Sequence, residues 1–218
     1  MVVKKVSFSY KSGEVLREIN AVFKEGKICC IAGHNGSGKT TFLRVCLGLL
    51  TPLKGRIVSN KKLGYMPEKN GFFQNLTVKQ NVDFFKKINN SQIEAGDLLS
   101  EWGLENDKDK VAGKLSSGQQ KRVSFLITYI QNADILFLDE PTSAMDIATQ
   151  KIFISKIKLL KAAKKTIVIT THDTNIIKEL CDEIMILKDG QQVLYGNYSE
   201  PQKFTELYLN SYMESNRV

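Results

Sequence analysis

The chain has 218 residues, 42% hydrophobic and 25% charged, which suits one α/β domain with or without a helical insertion and excludes bulk disorder. No apolar run approaches the roughly 20 residues of a membrane helix; even Ile28-Cys29-Cys30-Ile31-Ala32 stops at Gly33. The net charge of +8 comes from scattered Lys and Arg, with short clusters such as Lys161-Ala162-Ala163-Lys164-Lys165 and no aromatic platform among them. That pattern describes a solvated basic surface, or one close to anionic lipid head groups, and no nucleic-acid partner is expected.

The opening stretch Met1-Val2-Val3-Lys4-Lys5-Val6-Ser7-Phe8 alternates like a strand and lacks the apolar core of a signal peptide, which places the chain in the cytosol. Strand-like stretches at 2–10 and 15–23 flank the turn Lys11-Ser12-Gly13-Glu14 and predict an antiparallel β-patch ahead of the main sheet. Residues 27–32 are a short apolar run ending in a glycine-rich loop, after which apolar residues recur at helical spacing over 40–50 until Thr51-Pro52. From 76 to 102 the pattern is helical, broken near Asn89-Asn90, and no strand signal returns before Ile135. An inserted helical subdomain over about 69–131 accounts for that gap.

A helix from about Ser117, a strand over 135–138, a helix from Asp146, a strand over 166–170, a helix after His172 and a strand over 183–187 follow. This alternation predicts a mainly parallel sheet. Asp189-Gly190 marks a hairpin turn into Gln192-Val193-Leu194-Tyr195, and 201–213 reads as a terminal helix. Cys29, Cys30, Cys46 and Cys181 have neither metal-ligand spacing nor the density of a disulfide scaffold, and read as buried thiols.

Gly33-His34-Asn35-Gly36-Ser37-Gly38-Lys39-Thr40 fits G-x-x-x-x-G-K-[ST] between a strand and a helix, and Thr41 follows it. The glycines let successive amides and the helix N-terminus face phosphates, Lys39 adds charge at the β and γ oxygens, and the Thr40 hydroxyl is a Mg²⁺ ligand. Ile135-Leu136-Phe137-Leu138-Asp139-Glu140 is a buried-strand run ending in two carboxylates. Alone such a run is often a polar exit into a turn, but with the loop upstream Asp139 is expected to hold Mg²⁺ and Glu140 to act as general base on water. A guanine-reading N/T-K-x-D element is not found; Asn60-Lys61-Lys62-Leu63 lacks the Asp.

Leu115-Ser116-Ser117-Gly118-Gln119-Gln120-Lys121-Arg122 is a small polar turn opening a helix, a second place where amides face an anion. With it the chain resembles the nucleotide-binding domain of ABC transporters, whose motifs run in the family's order from Tyr10 to His172. The resemblance implies a phosphate-loop NTPase core of α/β class with a mainly parallel sheet, an N-terminal antiparallel β-subdomain and an inserted α-helical subdomain. It implies ATP and Mg²⁺ as ligands and ATP hydrolysis as the activity. Leu115 to Gln119 resembles the family's LSGGQ signature, with Ser117 in place of the first Gly, so that Ser116, Gly118 and Gln119 would meet ATP held by a second subunit. Tyr10 matches the aromatic that stacks on adenine, His172 the switch histidine at the γ-phosphate, and Ser143-Ala144-Met145-Asp146 the loop usually read SALD.

At Gly64-Tyr65-Met66-Pro67-Glu68 the sequence departs from the family, which usually has Gln where Glu68 stands in the loop that senses Mg²⁺ and the membrane partner. Pro67-Glu68 followed by Leu76-Thr77-Val78 resembles the export type that handles drugs, antimicrobial peptides or lipid-linked polymers. The implied partners are a separate transmembrane permease subunit and a second ATP-binding subunit, a copy or a paralogue, at the cytoplasmic face of the cell membrane. Competing readings within the family are a mechanical ATPase that regulates an envelope complex, a nucleic-acid-linked cassette, and a degenerate cassette; the presence of Lys39, Asp139, Glu140 and His172 speaks against the last.

Overall fold

The computed structural model describes residues 1–69, 71–92 and 94–198; the helix predicted over 201–213 lies outside them. The chain opens with the predicted hairpin, β1 (Val2–Tyr10) against β2 (Gly13–Val22), antiparallel from Val2↔Val22 to Tyr10↔Gly13. β3 (Ile28–Ala32) is buried at every residue and feeds the glycine loop and α1 (Lys39–Cys46).

This helix ends earlier than the spacing over 40–50 suggested. Gly48 at φ 72 takes the left-handed position after the last turn, its N–H bonding Val45 O while Leu49 N–H reaches back to Arg44 O. That paired closure satisfies the terminal carbonyls and stops the helix well before Pro52.

Two strands then appear where none was expected: β4 (Lys54–Val58), antiparallel to β1, and β5 (Leu63–Met66). The helical region that follows holds α2 (Val78–Ile88), α3 (Ala95–Glu101), 3-10 turns at Glu105–Asp107 and Ala112–Lys114, and α4 (Ser117–Ile130). β6 (Ile135–Asp139), α5 (Ile147–Ala162), β7 (Thr166–Thr170), α6 (Thr174–Leu180), β8 (Glu183–Lys188) and β9 (Gln191–Asn197) complete the alternation. Asp189 and Gly190, at φ 48 and 75, form the expected tight turn between β8 and β9.

The strands are ordered β4-β1-β2-β9-β8-β3-β7-β6-β5. The five from β8 to β5 are parallel, and the antiparallel patch joins them through β9. That seam has one backbone register pair, Arg17↔Gln191. Side chains continue it: Asn20 N–H donates to Gln192 Oε1 at 2.9 Å, and the Tyr195 hydroxyl both accepts from Val22 N–H (3.1 Å) and donates to Val22 O (2.7 Å).

Because strand side chains alternate, the sheet divides the core in two. Cys30, Leu136, Leu138, Ile167 and Ile169 face the helical region, α5 and α6, while Cys29, Ile31, Phe137 and Val168 face α1 and the antiparallel patch. Trp102 packs on Phe125 at 4.7 Å and Phe125 on Phe153 at 5.0 Å, tying α3, α4 and α5 together. Three cysteines are buried as expected, Cys181 only partly, and burial pushes the Cys29 and Cys46 thiols above their ordinary range. Among the described residues no helix is long and apolar enough to cross a membrane.

Candidate active site

Register places three strand ends side by side. Ile31 of β3 lies opposite Thr170 of β7, and Thr170 opposite Asp139 of β6, so the glycine loop, the two carboxylates and the Thr171-His172 exit share the carboxyl edge of the sheet, where ligands of α/β folds bind. The loop is shaped by backbone freedom at Gly33. Its φ is 159, and a Cβ there would stand 2.3 Å from Leu187 O and 2.5 Å from Ser37 Oγ. Gly38, at φ 102, is the N-cap of α1 and supplies no side-chain cap, and the first turn carries no acidic residue. The amides and the positive end of the helix are thereby left to an outside anion.

Lys39 is 6% exposed and curls over the loop, its Nζ donating to Gly33 O at 2.8 Å and His34 O at 3.2 Å. It also faces Glu140 Oε1 at 3.6 Å, an ion pair too long to be a hydrogen bond. His172 approaches the other oxygen, Nδ1 to Oε2 at 3.1 Å, with its side chain 58% exposed. Glu140 Oε1 is buried and has no hydrogen-bond partner, so the carboxylate is aimed between a lysine and a histidine with one oxygen free to accept.

Asp139 is fully buried. Oδ1 accepts from the Thr170 hydroxyl at 2.6 Å and the Thr40 hydroxyl at 3.1 Å, and Oδ2 faces the Tyr65 hydroxyl at 3.5 Å. Burial, and then the Asp139 charge, push the Tyr65 hydroxyl above its ordinary range. No group of three or more His, Cys, Asp or Glu able to hold a metal occurs among the described residues. A hydroxyl and a carboxylate in contact at a phosphate loop instead fit Mg²⁺, which takes few protein oxygens and completes its shell with water and phosphate.

A cleft of about 380 Å³ runs along this edge, walled by Asn35, Gly36, Gly38, Lys39, Thr40, Thr41, Glu68, Glu140, Ser143 and His172, with Val15 of β2 closing one side. Most of the expected phosphate residues and Glu68 therefore meet. Gly33, His34, Ser37 and Asp139 do not line the cleft. Tyr10 stands apart, exposed at the end of β1 with its ring edge-on to Phe8.

Ser116, Gly118 and Gln119 also lie away from this cleft. Ser116 is the N-cap of α4 in a reciprocal capping box: its hydroxyl accepts from Gln119 N–H, while Gln119 Oε1 accepts from Ser116 N–H. Gln119 Nε2 is spent on Asp107 at 2.7 Å. Asp146 caps α5 by accepting from Thr149 N–H, which holds its carboxyl below the usual range. Thr170, Tyr65 and Val15 escaped the sequence reading, since only strand register and packing bring them to the edge.

The fold and this edge define a phosphate-loop ATPase. Residues 16–143 match the family model described as ABC transporter. An ABC transporter ATP-binding protein of Methanocaldococcus jannaschii is 35% identical over 86% of this chain and 73% of its own length. The arginine transport ATP-binding protein ArtM of Bacillus subtilis is 32% identical over 91% of each chain. A dimeric structure of the ATP-binding cassette MJ0796 in a post-hydrolysis state with ADP and Pi overlays with a TM-score of 0.83 at 26% identity, over 91% of this chain and 99% of that one. The chain belongs to the ABC transporter family. It is an ATP-binding subunit of that family and an ATPase.

Proposed function

We propose that the subunit closes with a second ATP-binding subunit, a copy or a paralogue, around ATP and so drives export through a separate membrane permease from the cytoplasmic face. Lys39, the α1 amides, Thr40 and Thr41 take the phosphates, and Tyr10 takes the adenine. Thr40 and Asp139, with Glu68 in the cleft wall, would hold Mg²⁺, which neutralises phosphate charge when bound. Glu140 accepts the proton of the attacking water, and His172, on its other oxygen, keeps the carboxylate aimed and meets the γ-phosphate. Ser116 and Gly118, outside this chain's own cleft, serve the ATP of the partner subunit, and Gln119 supports them through the cap.

The observation that carries this reading is the Glu140 carboxylate, with its buried, unbonded Oε1 facing Lys39 and its Oε2 facing His172. The export direction rests on Pro67-Glu68 and Leu76-Thr77-Val78. An exposed apolar patch, Phe73, Phe84 and Ile88, with Phe73 stacked on Phe85 at 5.8 Å, lies close in sequence to the Glu68 loop and suits a cytoplasmic segment of a permease.

The test is ATPase rate against protein concentration, with Glu140→Gln beside it. The expected outcome is a rate per subunit that rises with concentration, a loss of about 10²- to 10⁴-fold in the variant, and an ATP-dependent dimer of the variant in size-exclusion chromatography. Turnover by Glu140→Gln at the wild-type rate rejects the assignment of the base. Flux measured in vesicles carrying the permease decides the direction.

A further inference from the structure

Lys121 has no part in the chemistry above, yet it is 9% exposed on α4, and lysines are almost never so buried unless their charge is engaged. Its ammonium rests on main-chain carbonyls: it donates to Glu68 O at 2.7 Å and to Glu140 O at 2.9 Å. One nitrogen thus binds the helical region, the loop of Glu68 and the end of β6. Burial lowers its affinity for the proton, against the pull of the Glu68, Asp139 and Glu140 carboxylates.

Glu140 is the place where such a tie has consequences. Its φ of 44 lies in the left-handed region, which a residue with a Cβ keeps only when its surroundings hold it there. Its N–H donates to Thr170 O at 3.1 Å and Thr170 Oγ1 at 2.9 Å, which fixes it to β7. Its carbonyl accepts from Ser143 Oγ at 2.9 Å and from Lys121. The peptide plane after Glu140 is therefore set partly by a residue of α4, and together with the amide held by β7 it orients the Cα–Cβ bond that carries the carboxylate.

The cavities show that Lys121 works from behind. A second cavity of about 290 Å³, walled by Lys69, Phe72, Ser117, Lys121 and Ser124, shares Glu68 and Ser143 with the nucleotide cleft. Lys121 belongs to the wall of this second cavity and not to that of the cleft, so it reaches the reacting atoms only through the residues whose carbonyls it holds, Glu140 and Glu68.

We propose that Lys121 is a positioning residue for hydrolysis, which aims Glu140 only while the helical region and the Glu68 loop are in register with the sheet. The proposal rests on the reading of Glu140 as the base. It makes the position of the helical region a condition for the chemical step, separate from any contact with nucleotide.

The test uses Lys121→Met, which keeps the aliphatic stem and removes the donors, and Lys121→Arg, which restores a cation that can donate to both carbonyls. At protein concentrations that saturate the wild-type rate, Lys121→Met is expected to lower kcat about 10- to 100-fold with KM for ATP unchanged. Lys121→Arg is expected to recover most of that loss. In the Glu140→Gln background Lys121→Met is expected to cause no further loss, because both changes act on the same group.

A wild-type kcat in Lys121→Met, or an equal fold loss added on top of Glu140→Gln, overturns the proposal. Should Lys121→Met fail to fold by circular dichroism, Lys121→Leu, which likewise has no donor, carries the same comparison. Normal turnover by Glu140→Gln would instead defeat the reading of the base, whatever Lys121 does, so the two failures are distinguishable.

Discussion

Two helix N-termini in this chain are built from similar small polar residues and finished in opposite ways. α1 begins at Gly38, with no side-chain cap and no acidic residue in its first turn. α4 begins at Ser116, closed on itself by the exchange with Gln119. The first end leaves its donors to whatever anion enters the cleft; the second is stable before any ligand arrives and presents a finished surface outward. In the proposed arrangement, a nucleotide held by the first and touched by the second would join two chains without either helix having to reorganise, which is a physical reason for one domain to carry both.

That contrast can be broken at the first end most severely. Lys39→Ala removes a buried ammonium held on the glycine loop and is expected to raise the Kd for ATP about 10- to 100-fold, as read by nucleotide fluorescence titration. Smaller effects follow from the loop backbone. Gly33→Ala drives a Cβ into Leu187 O and is expected to cost about 3 kcal/mol of stability. Gly36→Ala, at φ 85 with nothing within 4 Å of the added carbon, is expected to cost about 1 kcal/mol; denaturant midpoints compare the two.

The second end is sharpened by the mildest change. Ser116→Ala is expected to cost about 1 kcal/mol through loss of the cap, to leave ATP binding by the single chain unaltered, and to weaken the ATP-dependent dimer of Glu140→Gln. Thr77→Ala, which removes the similar capping box of Thr77 and Gln80 at the start of α2, is expected to cost the same stability and leave the dimer intact. Equal loss of dimer in both variants would mean that the α4 cap acts through stability alone.

The parts legible in the sequence are those fixed by local chemistry. Gly33 to Thr40 and the apolar run into Asp139-Glu140 announce themselves because phosphate binding and a buried strand end each demand a short, ordered set of residues. β4 left no signal because its residues are mostly exposed at the sheet edge, without alternation. β5 was hidden for a different reason: it is four residues long and contains Gly64, whose missing side chain admits Ala133 and Leu136, each 2.9 Å from where a Cβ would stand. Gly48 was overlooked as the stop of α1 because Leu47, Leu49 and Leu50 continue the apolar pattern past it. The supports of the site, Thr170 and Tyr65 on Asp139 and Lys121 on Glu140, come from elements far apart in sequence, and no spacing rule contains them.

The seam between the antiparallel patch and the parallel strands differs in kind from the rest of the sheet. Backbone ladders are indifferent to sequence, since every residue but proline brings the same donor and acceptor. Across much of this seam the bonds come from Gln192 and from a Tyr195 hydroxyl that both donates and accepts as a peptide unit would. Tyr10 lies on one side of the seam and the phosphate loop on the other, so, with Tyr10 on adenine as proposed, the reach between adenine and phosphate contacts is a heritable quantity. Single substitutions such as Tyr195→Phe can loosen it and selection can retune it, while the parallel strands beneath stay as they are.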